Sequence, residues 1–411
     1  MKHKKLLIAG ITVFTVIVFL ATFIVIWLWG DDYPDFEDFT KSVAVPGLED
    51  DAVPQGITNY TGEYIAENEN GEQVKATQEY MIFSAYMKDG ASRLYVTGRT
   101  TGYVGYVTLK NEDGSEYTGH AGGVATSCRQ GDRYGTLWVV SDGTVYCAKT
   151  DYNSGYTNIA DELIARAAMK DGENVIRFTA SFKANNKASF CYFYDDGTPS
   201  ITDDRLYVGE FYLDGYDEYQ TDHKITNRFG NEQHALVYEY NCSNETSNVY
   251  GLQKISSSSV ADENKVPRVQ NIYSLPEKIQ GFARITGVST GGGKLVLSQS
   301  YALSNSSLLY YNWEDIYTSS NRKTYATLTG KNFAYEGVET KSGVQYTEST
   351  LNVYFTDNNL LQREYSVPSM SEGLCANGDR VYVLFESGCY KYRLFVRQSL
   401  TEIFCFTPRK K

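Results

Sequence analysis

The chain has 411 residues, of which 42% are hydrophobic, enough for a large core and for more than one domain by length alone. Its formal net charge is −12, with the acidic groups scattered and no basic stripe, which speaks for solubility and excludes phosphate-backbone recognition of nucleic acid. Tyrosine is over-used at 35 residues against 8 prolines, and tyrosine packs its ring on a pleated face while its hydroxyl reaches water.

Leu6 to Trp29 carries no charge and no proline, and it exceeds the roughly 20 residues that a helix needs to cross a bilayer. Lys2, Lys4 and Lys5 precede it and Asp31 and Asp32 follow it, so the positive-inside rule leaves the N-terminus in the cytoplasm and the rest outside. A signal-peptide core is shorter (roughly 7–15 residues) and ends in small residues. Here bulky Ile24-Val25-Ile26-Trp27-Leu28-Trp29 runs to the end, which reads as an uncleaved single-pass anchor with Trp27 and Trp29 at the outer interface. The expected organisation is therefore a cytoplasmic tip and transmembrane helix over 1–29, an acidic stalk over 30–40, and an extracellular domain over 41–411.

Beyond the stalk, alternating apolar and polar residues dominate. Strand candidates are Tyr80–Tyr86, Arg93–Thr97, Tyr103–Leu109, Leu137–Ser141, Thr144–Ala148, Val175–Phe182, Ala188–Tyr194, Arg205–Tyr212, Ala235–Tyr240, Leu295–Tyr301, Ser307–Trp313, Leu351–Phe355, Gln362–Val367, Arg380–Glu386 and Tyr392–Val396. Asp89-Gly90, Asp142-Gly143, Asp196-Gly197, Gly291-Gly292-Gly293 and Asn377-Gly378 separate many of them as turns. One helix stands out over Ile159–Met169, with Asn158 placed to cap it and Gly172 to end it. Repeated βαβ units are missing, so a parallel α/β sheet is excluded.

Four segments share a polar residue, a glycine and an apolar run: Pro54-Gln55-Gly56-Ile57, Gly119-His120-Ala121-Gly122-Gly123, Ile279-Gln280-Gly281-Phe282 and Ser371-Glu372-Gly373-Leu374. Their spacing holds about four strands of roughly 5–6 residues each, except that the gap from His120 to Gln280 holds two units. The missing start falls at Ala188-Ser189-Phe190-Cys191-Tyr192. The reading is an all-β, five-bladed β-propeller. A sixth blade would need the stretch Asn321–Val344 to hold another unit, and it lacks the opening motif. The last unit is short of a strand, so the N-terminal Ser42-Val43-Ala44-Val45 is expected to complete its sheet and close the ring.

In such a ring each first strand lines the axis. Gln55, His120, Gln280 and Glu372 should meet at one mouth of the channel, with Ser84, Glu210, Ser298 and Glu386 from the second strands around them. Polar groups there either satisfy backbone and water or form a ligand site. His120 and Glu372 are the candidate acid–base pair. Alternatively, Glu372, Glu386 and glutamine oxygens could ligate Ca²⁺. His223 and His234 lie in polar surroundings and read as exposed. Seven cysteines, none in a Cys-x-x-Cys pair, exclude the usual zinc and redox motifs; Cys128 with Cys147, and Cys375 with Cys389, are near enough to bridge neighbouring strands.

On these motifs, together with Ser84-Ala85-Tyr86-Met87 and Leu384-Phe385-Glu386-Ser387-Gly388, the chain resembles secreted or membrane-anchored bacterial β-propeller proteins of uncharacterised function. It is more distantly similar to strictosidine-synthase-like and gluconolactonase-like propellers and to plant-type glutaminyl cyclases. That likeness implies a site on the axis, often with a divalent ion, although a clear set of acidic and asparagine metal ligands is missing here. The function expected is a membrane-anchored extracellular module binding a small molecule, glycan or protein through the channel mouth. The runner-up is a propeller hydrolase or cyclotransferase working through His120 and Glu372.

Overall fold

A computed structural model describes residues 33–410 except 134, 152, 185–186, 222–224, 246–247, 256–265, 287–291, 327–337, 340–344 and 347–349. The expected anchor Leu6–Trp29 lies outside these residues. Among the described residues no helix is long and apolar enough to cross a membrane.

Five antiparallel sheets stand around an axis. Blade 1 runs outward through Ala52–Glu67, Gln73–Met87, Arg93–Gly98 and Gly102–Lys110. Blade 2 runs through Gly123–Thr126, Leu137–Ser141, Thr144–Ala148 and Ala180–Lys183. Blade 3 begins with Ala188–Tyr194, Arg205–Glu210, Ala235–Asn241 and Val269–Leu275. Blade 4 comprises Ile279–Ile285, Lys294–Gln299, Ser306–Asn312 and Leu361–Val367. Blade 5 comprises Ser371–Asn377, Arg380–Phe385, Glu402–Phe406 and, outermost, Thr40–Ala44.

The last strand of blade 5 is thus supplied by the N-terminal end of the domain, with Thr40 opposite Cys405 and Ala44 opposite Glu402. This latch joins the two ends of the ring, as the shortage of strands in the last unit required. Phe39 stacks on Phe406 at 4.3 Å and buries the junction.

Two details depart from expectation. Tyr392–Val396 is not a strand; the third strand of blade 5 is Glu402–Phe406, and residues 386–400 form a long connection at the channel mouth. The aromatic and apolar residues of Tyr392–Val396 belong to a rim loop, not to a pleated face. Val175–Phe182 splits, with Val175–Arg177 pairing parallel to the edge of blade 1 and Ala180–Lys183 closing blade 2. Among the described residues of Asn321–Val344 no sixth blade starts, in keeping with the five-bladed reading. Within that stretch Arg322–Ala326 pairs with Thr350–Phe355, which lies parallel to Val269–Leu275 and so widens blade 3 to six strands.

The helix spans Ile159–Ala167, and the Asn158 side chain accepts from the backbone N–H groups of Ala160 and Asp161, both at 3.0 Å. Its end lies against Gly105, where a Cβ would stand 1.8 Å from the Ala167 carbonyl oxygen. The 30–40 stretch is not wholly a stalk: Pro34–Asp38 forms a 3-10 turn beside the outer strand of blade 4, and Phe36 packs on Phe404 at 4.7 Å. All seven cysteines are buried free thiols, so neither short-range pair is bridged.

Glycine sets the radius of the ring. A Cβ on Gly56 would lie 2.7 Å from the Val124 nitrogen of blade 2, and one on Gly373 would lie 2.9 Å from the Gln55 carbonyl oxygen of blade 1. These contacts are with neighbouring backbones, so no side chain can yield to make room.

Candidate functional site

The first strands of four blades carry an irregularity in register at the motif. Gln55, Ser189 and Gln280 are each an extra residue between paired neighbours, and Glu372-Gly373 faces a single residue of its partner strand. A bulge of this kind re-aims its side chain. In blade 2 the corresponding position is Gly122, and His120 reaches over it from the preceding loop. Gln55, Gly122, Ser189, Gln280 and Glu372 thereby line one cavity of about 830 Å³, together with His120 and Glu386.

A continuous hydrogen-bonded row crosses its floor. Gln55 Nε2 donates to Glu386 Oε2 at 2.9 Å and to the Pro54 carbonyl at 3.0 Å. Gln55 Oε1 is therefore the acceptor for His120 Nε2, at 2.7 Å. An amide oxygen only accepts, so the His120 proton sits on Nε2 and Nδ1 is left with its lone pair. Desolvation lowers the His120 pKa below the usual 6.5, with Asp142 opposing and Lys391 adding to the effect. At the other end of the row Glu372 and Glu386 hydrogen-bond each other. Burial, then the Glu386 charge, holds the Glu372 carboxyl well above the usual range. Burial also pushes Glu386 up, to about 7, against the pull of Gln55, Lys391 and Glu372. Glu372 is thus the protonated donor, and Glu386 the oxygen pair that accepts from both sides.

His120 stacks on Tyr86 with ring centroids 4.6 Å apart, and Lys391 Nζ donates to the Tyr86 hydroxyl at 2.9 Å. Lys391 also lies over the Tyr392 ring at 4.8 Å. The far wall is aromatic: Phe211 and Tyr219 meet edge to face at 5.2 Å, and Tyr301 stacks with Phe211 at 6.3 Å. Lys187 donates to the Glu218 backbone carbonyl on that wall. Gln280 makes no side-chain hydrogen bond among the described residues. The buried hydroxyl oxygen of Ser189 likewise has no partner.

Of the residues expected at the mouth, Gln55, His120, Gln280, Glu372 and Glu386 line the cavity. Ser84, Glu210 and Ser298 do not. Ser84 and Ser298 stand opposite the motif glycines, in the space that a missing side chain leaves. Ser84 Oγ accepts from the Gly56 N–H at 3.0 Å, and Ser298 Oγ meets Ser371 Oγ of blade 5 at 2.7 Å. Glu210 is fully buried and accepts from the Leu236 N–H at 2.8 Å. Tyr86, Ser189 and Lys391 were not expected at the site. Tyr86 ends the same strand as Ser84, and its position beyond the bulge was the available signal.

His120 and Glu372 do not touch; Gln55 and Glu386 stand between them. The two carboxyl groups at the axis, Glu372 and Glu386, bond each other. Among the described residues the one group of three acidic, histidine or cysteine side chains close enough for a metal is Asp195, Asp196 and Asp204. Arg129 already sits in that group, at 2.9 Å from Asp195 and 2.7 Å from Asp204. Of the other histidines, His234 is half-buried and stacks on Tyr212 at 4.7 Å rather than being exposed, and His223 lies outside the described residues.

No protein-family model and no curated protein matches the chain.

Proposed function

We propose that this protein is a membrane-anchored extracellular propeller that binds a small hydroxyl- or amide-rich ligand, of the saccharide type, in its axial cavity. The propeller fold supports a binding or interaction module in general terms. The observation that carries the finer reading is the cavity floor. The Glu372–Glu386–Gln55–His120 row is already satisfied internally, while Gln280, which makes no side-chain hydrogen bond among the described residues, lines the same space of about 830 Å³ and still has its amide to offer. Fixed polar groups on one side and aromatic faces on the other suit a ligand with both hydroxyls and apolar C–H faces. The uncleaved apolar segment Leu6–Trp29, with its flanking lysines, supports the anchor and the outward placement of the domain. The likeness to bacterial secreted or anchored propellers is consistent with both.

Saturation-transfer NMR with a panel of neutral mono- and disaccharides tests the ligand class. Transfer is expected with the wild type and should be lost in Gln280→Ala and in His120→Ala. No transfer from any member, or equal transfer in the variants, would remove the reading.

An acid–base enzyme is the second reading, and the shared proton of Glu372 and Glu386 is what favours it. The pair cannot straddle a glycosidic bond as retaining glycosidases do, because that needs carboxyl groups about 5–5.5 Å apart and these are in hydrogen-bond contact. The hydrolysis would have to run from one side of the substrate. Unchanged turnover of a substrate panel in Glu372→Gln and His120→Ala would discard it.

A further inference from the structure

The path of the chain into the domain bears on how the mouth is presented. Tyr33 Oη donates to Asn305 Oδ1 at 2.9 Å, and Asn305 follows the loop Tyr301–Leu303 that lines the cavity. From there Asp35 holds Arg363 at 2.5 Å and Asp38 holds Arg409 at 3.0 Å, as the chain descends the flank of the ring to its far face. Thr40–Ala44 then climbs back as the latch. The chain therefore enters the domain on the mouth side. Gly30–Asp32 alone separate Tyr33 from Trp29, and fully extended they reach at most about 11 Å.

One edge of that face carries exposed apolar groups beside positive charge. Leu394 is 82% exposed and Phe395 58%, and Leu303 is also exposed at the rim, whereas the exposed Tyr216 stands among the exposed Asp214, Asp217 and Glu218. Lys391, Arg393 and Arg397 stand exposed in the connection between Phe385 and Glu402, which holds no acidic residue after Glu386. A net positive, aromatic and apolar loop in a chain of charge −12 is what an anionic lipid surface selects: tyrosine and phenylalanine at headgroup depth, arginine at phosphate.

We infer that one edge of the mouth face, residues 390–397, docks on the anionic lipid surface of the membrane that anchors the chain. This inference rests on reading Leu6–Trp29 as an anchor. The short tether brings the rim to the bilayer, Leu394 and Phe395 enter the headgroup layer, and Arg393 contacts lipid phosphate.

The full chain, reconstituted in phosphatidylcholine vesicles with a minority of phosphatidylglycerol, provides the test. Because the seven native thiols are buried, a fluorophore can be placed selectively on Leu394→Cys or, as the far-face control, on Asp379→Cys in the turn after Asn377. Nitroxide on the lipid headgroups should quench the label at 394 severalfold more than that at 379. Removing the charge in Arg393→Gln should weaken docking by about fivefold and bring the label at 394 toward the control. A protein that floats with the vesicles but is quenched equally at both positions overturns the docking and leaves the anchor standing. A protein that does not float overturns the anchor, and the docking with it.

Discussion

Glu386→Gln should flatten the dependence of stability on pH. In the native protein this carboxyl is buried between Gln55 and Glu372 and titrates at about 7, against an ordinary 4.5. Its folded-state pKa is raised, so its contribution is complete below pH 4.5 and is lost as pH rises through 7. Linkage over pH 5 to 8 makes the loss on the order of 2–3 kcal/mol for this one group. Glutamine does not ionise; its Oε1 can accept from Gln55 Nε2 while its amide N–H donates to the Glu372 carboxyl. Urea unfolding at pH 5, 6, 7 and 8, followed by tryptophan fluorescence, would compare the two proteins. The wild type should lose about 2–3 kcal/mol more than Glu386→Gln between the end points, because burial, the largest cause of the raised Glu372 pKa, keeps that neighbour protonated in the variant as well. Parallel curves would refute the buried, proton-sharing pair.

Long-range nitrogen NMR should find the His120 proton on Nε2 at neutral pH, as acceptance by Gln55 Oε1 requires; a proton on Nδ1 would reverse the order of the row. Gln55→Leu should cost about 1–3 kcal/mol, since it strands buried partners at both ends, and urea titration would read it. Gly373→Ala should cost about 1–3 kcal/mol by forcing a Cβ against the Gln55 carbonyl at 2.9 Å, whereas Gly378→Ala, in an exposed turn, should show the smaller penalty of a strained φ alone. Phe39→Ala should lower the unfolding midpoint by removing the ring stacked on Phe406, at about 3 kcal/mol, and an unchanged midpoint would mean that the latch does not hold the ring closed.

Much of this architecture was readable one segment at a time. Alternation in Leu137–Ser141 or Arg380–Phe385, the Asp142-Gly143 turn and the Asn158 cap are local properties, because side-chain direction in a strand and the free N–H groups of a helix depend on near neighbours. The recurrence of a polar residue before glycine was equally local, and it located four of the five first strands. What local pattern could not supply was partnership. Tyr392–Val396 is as rich in aromatic and branched apolar residues as a strand, yet Glu402–Phe406 takes its place because only the latter meets Thr40–Ala44 across the sheet. Ser84 and Ser298 matched the site pattern, but the space beside a neighbouring glycine took them into the wall. The row from His120 to Glu372 joins blades 1, 2 and 5, and its central bond links residues 331 positions apart. Such a contact exists only once the ring is closed, and the low dielectric that raises the Glu386 pKa exists only then as well.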